Sequence, residues 1–457
     1  MPASVATTED LDLVVADIDR LDQRVTTLEG AADPTSGDPA PGYDDSALVQ
    51  RVASVEANVH GLETDADLAL GVLGSRVDAL EARPTGTSGT TVGLPYTVIT
   101  TPTDAAVQAG LKAWRSNFNG EFPKTKLAFA FSGTANLTTP LDAALGSGKI
   151  QGARWEGLAK RSTVLAWSST STPMLSTTNV TFRNYRFRDF SIKSNGSGVK
   201  GWWLYSDQAP KNNSDGAFTD MEWLGGWDYA IALAGGPTAN ENSEVRFEAV
   251  GLSNDAHFDT AWLWSGANGT NTQQNQFLNY EFRNTKFEHS HGDVLRFDYG
   301  GSIHCTGFNS WIMTGNSAGG NPSGRFIYLP RGNNFDSTMF MDLTGIRPEL
   351  RNTSVKLLDS AWSGAGNITI QGVNSASYAS RHAAAETITL RGDAAVLLSN
   401  CYLDGFVGLR GSAKPKIRVL NVASNGSQGI DWNRTDGLAP AGIRTFDTAT
   451  TANLKVL

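Results

Sequence analysis

Residues 181–192 read TFRNYRFRDFSI, and how that stretch is read decides the fold. Aromatic and β-branched residues alternate with polar ones, and Asn and Asp interrupt the run. That is the signature of short strands and tight turns, with nothing of the helical period. The same texture continues in WWLYSD (202–207), FTDMEWL (218–224), VRFEAVGL (245–252), AWLWSG (261–266), VLRFDYG (294–300) and IHCTGFNSWIMTG (303–315). Fragments recur: Phe182-Arg183-Asn184-Tyr185 resembles Phe277-Leu278-Asn279-Tyr280, and Phe282-Arg283-Asn284 follows. Phe187, Phe218, Phe247, Phe282 and Phe308 return at intervals of roughly 25 to 35 residues, a solenoid-like period. The spacing predicts a β-solenoid whose coils pair in parallel and bury a core only by stacking. An antiparallel sandwich or barrel is the competing fold. It is disfavoured because the pattern runs from about residue 125 to about 430, longer than one sandwich.

Outward from that body, the N-terminal segment is helical. Leu11, Val14, Ile18, Leu21, Val25 and Leu28 form a heptad seam within residues 1–30. Residues 31–45, rich in Pro and Gly, read as a linker. A second heptad segment, 46–83, carries Val52, Val55, Val59 and Leu62 after Leu48, and a four-residue stutter at Ala66 and Leu70. These helices could fold back as a hairpin or associate between chains. The narrow seams favour association, because a globular face would be wider. Residues 84–101 read as a flexible neck, 102–430 as the body and 431–457 as a C-terminal cap. A short helix, AAVQAGLKAW (105–114), capped by Thr103 or Asp104, is expected to cover the first coil.

Composition narrows the function. Of 457 residues 48 are Gly and only 18% are charged, as in a turn-rich β protein. The net charge of −9 and the lack of a basic run argue against a nucleic-acid binder. No apolar stretch is long enough for a membrane helix, and the N-terminus does not resemble a secretory signal. Cys305 and Cys401 read as buried free thiols, without metal-ligand spacing. No cofactor motif is present, whether P-loop, dinucleotide fingerprint or nucleophile elbow.

A heptad N-terminus, a Gly/Ser/Thr neck, a short helix and a long aromatic-rich strand stack together resemble the tail fibres and tailspikes of tailed bacteriophages. The nearest group is the minor tail proteins of phages infecting actinobacteria. The resemblance lies in layout and covers the whole chain. It implies a mainly β protein with an N-terminal coiled coil and a right-handed parallel β-helix of the pectate-lyase-like kind, assembled as a homotrimer. It further implies an N-terminus joined to other phage tail proteins, a body facing the host-envelope glycan, and a virion protein assembled in the host cytoplasm.

Two polar clusters are candidates for chemistry: Asp255 to Asp259, and Glu288 to Asp293, with Asp298 and His304 following. They lie about one coil apart. Stacked, Asp255, Asp259, Glu288 and Asp293 could supply the paired acids of a polysaccharide depolymerase, a glycoside hydrolase or lyase. His289 and His291 could share a face and hold a metal. Solvated turns account for both clusters better, so an adhesive protein is preferred to an enzyme, a purely structural virion appendage without ligand is the third reading, and neither metal nor cofactor is assigned. The tryptophans offer glycan contacts: Trp202, Trp203, Trp223, Trp227, Trp262 and Trp264. In AWLWS the strand period places Trp262 and Trp264 on one face, outward if Ala261 and Leu263 face the core. Burial in the core or between subunits remains open for all six.

Overall fold

The computed structural model describes residues 95–445 apart from short intervening segments, the longest being 315–323, 376–384 and 435–443. Both heptad segments, with Leu11, Val14, Ile18, Leu21, Val25, Leu28, Val52, Val55, Val59 and Leu62, lie outside the described residues.

The body is a parallel β-solenoid, more than ten rungs deep along its longest sheet. Three long sheets form its faces. The first has 16 strands and runs from Tyr96–Ile99 to Arg444–Thr445. The second has eight, from Gly133–Asn136 to Ile346–Leu350, and the third has ten, from Leu175–Ser176 to Ile430–Arg434. Every pairing in these sheets is parallel and links one coil to the next; the one antiparallel pair is Phe118–Asn119 with Phe122–Pro123. Among the described residues, coils beyond Leu350 add strands to the first and third sheets alone. The sandwich alternative is thereby excluded.

The interior is a set of ladders. One runs Leu127, Trp155, Phe187, Phe218, Phe247, Phe282, Cys305, Leu343, Ile370, Leu398, Val419, each paired with the next. Phe218, Phe247 and Phe282 stack nearly parallel at 5.2 and 5.0 Å. Phe308 does not belong to this ladder: Cys305 takes the position, and Phe308 is 62% exposed. Cys305 and Cys401 are both buried free thiols.

Turn chemistry sets the coil. A single left-handed residue leads from the first sheet into the second: Asp189, Asp220, Ala249, Asn284, Gly307, Gly345. Asn, Asp and Gly tolerate that conformation best, which explains their recurrence in the sequence. A second left-handed position bends the first sheet within each rung, at Gly152, Asn184, Asp215, Glu244 and Asn279. The two similar fragments therefore serve one purpose, since Asn184 and Asn279 make the bend and Tyr185 and Tyr280 turn inward behind it.

Helix α1 (Asp104–Ser116) is capped by Thr103, whose hydroxyl accepts from the Ala106 amide. It buries Val107, Leu111 and Trp114 against the first coil, and the Trp114 indole donates to the Thr125 carbonyl at 2.8 Å. The first rung begins at Tyr96, inside the stretch read as neck, where Tyr96–Ile99 pairs with Lys126–Phe129.

Candidate functional site

The tryptophans divide between the two sides of the wall. Trp202, Trp223, Trp227 and Trp262 are fully buried in the solenoid interior and offer nothing to a ligand. Trp203 and Trp264 are partly exposed on the outer face of the third sheet. For Trp202 and Trp203 simple alternation holds. For AWLWS it does not: consecutive residues Trp262 and Leu263 both enter the core, as Ala230 and Ile231 do one rung earlier. The pairing register also slips between Trp227 and Tyr229. The strand bends here, and the phase of alternation resets.

Trp203 and Trp264 belong to one outward ladder: Trp203, Ala232, Trp264, Arg296, Tyr328, Asp359, Thr389. The two indoles stand two rungs apart, about 10 Å along the stack. Their ring centres nonetheless approach to 6.4 Å, because both lean over Ala232 and leave it wholly covered. Tyr229 completes the cluster at 5.8 Å from Trp203 and 6.1 Å from Trp264, with Ala234 and Ala267 beneath.

The rungs beyond are charged and tightly paired. The Arg296 guanidinium lies 5.6 Å from the Trp264 ring centre and 5.8 Å from that of Tyr328. Asp298 holds Arg296 at 3.0 Å and accepts the Trp264 indole N–H at 2.9 Å, fixing the indole plane. Arg325 covers Tyr328 at 3.3 Å and donates twice to Asp293, at 2.7 and 2.8 Å. Arg391 reaches Asp359 at 2.8 Å. Burial pushes the Asp293 carboxyl up from its ordinary pKa, against the opposing pull of Arg325.

The four carboxylates singled out in the sequence do not converge. Asp255 and Glu288 both lie within electrostatic reach of Arg161, which is itself locked to Glu222 at 2.6 and 2.7 Å. Glu288 pairs with Lys286 at 3.4 Å. Asp259 is exposed near the start of the strand His257–Ala267, and Asp293 is the member that lies beside the aromatic face. One-coil stacking of the two clusters is present in His257 and His291, which bridge in parallel with rings 4.9 Å apart. His289 points the other way, into the core between Phe258 and Phe326, so it shares no face with His291. Among the described residues no group of three or more His, Cys, Asp or Glu could hold a metal ion.

Sequence reasoning missed Tyr229, Arg296 and Tyr328 as members of this face. Arg296 and Tyr328 lie 32 and 64 residues beyond Trp264, one and two coils on, a signal visible only once the coil length is known.

No protein-family model matches the chain, and no curated sequence does. Among solved structures, the surface adhesin PfbA of Streptococcus pneumoniae superposes with a TM-score of 0.38 at 10% identity, over 72% of this chain and 87% of that one. The catalytic domain of a GH87 alpha-1,3-glucanase in complex with tetrasaccharides gives 0.38 at 10% identity, over 80% and 70%. The A-module of the mannuronan C-5 epimerase AlgE4 of Azotobacter vinelandii gives 0.34 at 10% identity, over 75% and 96%. Likenesses this distant carry no functional argument, and the fold rests on the strand pairing itself.

Proposed function

We propose that this chain is a structural virion protein of a phage tail, a fibre or spike whose solenoid body attaches to host-envelope glycan through the outer face of the third sheet. The observation that supports this reading is the pair Trp203 and Trp264, packed on the buried Tyr229 over alanines and continued by Arg296 and Tyr328. A contiguous aromatic surface on a soluble body is a binding surface more often than an ornament of the fold. Indole and phenol planes suit the apolar C–H faces of pyranose rings, and the adjoining Arg–Asp pairs offer donors and acceptors to hydroxyls. The heptad segments would join the bodies as a homotrimer, in which three weak sites multiply into firm attachment. The N-terminus would join other tail proteins during assembly in the host cytoplasm.

Binding of the full-length protein to purified host-envelope polysaccharide tests the reading. Trp264→Ala and Trp203→Ala should each weaken binding about tenfold or more, the scale of one lost anchor. Binding that survives both substitutions would remove this face from the function.

A depolymerase is the second reading, supported by Asp293 and Asp298 beside the aromatic cluster, with burial raising the Asp293 carboxyl above its ordinary pKa. Release of new reducing ends or unsaturated products from the same polysaccharide, abolished by Asp293→Asn, would establish it. Binding without product would leave the adhesin.

A further inference from the structure

The first sheet carries a feature that the glycan face does not use. At the bend made by Asn184, a concavity of about 470 Å3 opens on the outer surface, lined by Gln151, Arg183, Asn184, Arg186 and Asp215. Parallel pairing places Arg154 directly beneath Arg186, so two guanidiniums occupy adjacent rungs of one ladder, about 4.8 Å apart along the stack. Many arginines elsewhere on the body are matched by acid, such as Arg161 with Glu222, Arg296 with Asp298 and Arg325 with Asp293. Here they are not. Among the described residues, Arg154, Arg183 and Arg186 make no ion pair.

They are held by neutral groups. Arg154 donates through Nη1 to the carbonyls of Ala153 and Asn184, at 2.9 and 2.5 Å. Arg186 donates through Nη1 to those of Tyr185 and Asp215, at 2.8 and 2.9 Å. Arg183 donates through Nε to the Ser214 hydroxyl at 3.2 Å. Each guanidinium is therefore fixed in place while other N–H directions stay open, since arginine has five donors. Ala217, the next residue in the ladder after Arg186, is too small to fill the space above it. Burial lowers the pKa values of both Arg154 and Arg186; the like charge of Arg186 adds to the effect on Arg154 and that of Arg246 to the effect on Arg186, while Glu156 and Asp215 oppose it from a distance. On a chain of net charge −9, such a cluster is the local exception.

We propose that this concavity binds an oxyanion, a single carboxylate, sulfate or phosphate group, between the guanidiniums of Arg183 and Arg186, with Arg154 adding charge from the adjoining rung. Fixed, forked donors match two oxygens of such a group, and a lysine cluster would not give that fit. Asp215, exposed at the rim, is the one acid lining the concavity and opposes the ligand. The ligand could be an acidic sugar of the host envelope or a phosphate-bearing polymer; both present the same chemistry.

Titration of the full-length protein at low salt with inorganic phosphate, sodium glucuronate and glucose tests the proposal. We expect saturable binding of at least one anion in the millimolar range, weakened by added salt, and none of glucose. Tighter glucuronate marks an acidic sugar as the source, and tighter phosphate marks a phosphate ester. Arg186→Gln and Arg183→Gln should each weaken binding about tenfold. Asp215→Asn should strengthen it severalfold, a gain that misfolding cannot imitate. Absence of binding by either anion, or affinities unmoved by Arg186→Gln and Asp215→Asn together, would overturn it.

Discussion

His289 sits where an imidazole is least at ease. Its ring lies between Phe258 and Phe326, fully buried, with Nδ1 unpartnered and Nε2 only 3.4 Å from the Gly292 carbonyl. Burial pushes its pKa down to about 3, so the folded body holds it neutral. Unfolded, the same side chain takes a proton near its ordinary pKa of about 6.5. Between those values the unfolded state binds more protons, and stability rises with pH. Acidification below pH about 6.5 should therefore cost up to about 1.4 kcal/mol per pH unit from this residue alone. His289→Phe, which keeps the ring stack and removes the titration, should flatten the fall of the melting temperature between neutral pH and pH about 4. An unchanged slope would assign acid sensitivity to other groups. The sequence marked His289 as a possible ligand because it stands two residues from His291; only the inward turn of its strand tells the two apart.

Each coil is an element that cannot stand alone, and the aromatic ladder shows what joins one to the next. Phe247 stacks between Phe218 and Phe282 and meets the edge of Trp262. Phe247→Ala should cost about 3–5 kcal/mol, because neighbours held by parallel pairing on both sides cannot collapse into the void. Phe308→Ala, at a residue recurring with a similar interval but exposed, should stay within about 0.5 kcal/mol. Chemical denaturation of the two variants separates ladder members from coincidences of spacing. The contrast also shows how far coils are legible in advance. The repeat of Phe and Asn is visible because one inward position and one left-handed turn recur. The phase is not, since the step along the ladder varies from 21 residues (Leu398 to Val419) to 38 (Cys305 to Leu343). Loops absorb that variation without disturbing the strands, so a fixed period mislays Phe308, and the equal steps of 32 from Trp264 to Arg296 to Tyr328 stand out only once the coils are aligned. Tryptophan composition alone pointed to six contacts, and the bend at Trp262–Leu263 reduces them to the two that face outward.

At the scale of the whole molecule the body is self-contained. Its interior is filled from Ile99 to Val422 by its own side chains, and α1 covers the first coil with Val107, Leu111 and Trp114. The first described rung opens at Pro95, whose carbonyl accepts from the Lys126 amide, and Tyr96–Ile99 pairs with Lys126–Phe129. Removal of residues 1–83 should therefore leave a cooperatively folding solenoid, with far-UV circular dichroism unchanged in shape and a melting temperature within a few degrees, about the effect of 1 kcal/mol. Association should not survive so well. If the heptad seams join three chains, the native mass by light scattering should be about three times 48.7 kDa for the full chain and should fall when residues 1–83 are removed. Leu21→Asp, which sets a charge in the first seam, should loosen the assembly and leave the body's melting transition unmoved. The two readouts fail independently. A truncated body that unfolds would contradict the self-contained core. A full-length monomer would instead leave the core intact and remove the multivalency on which weak glycan contacts depend, so that Trp203 and Trp264 would have to hold their ligand on the strength of one site.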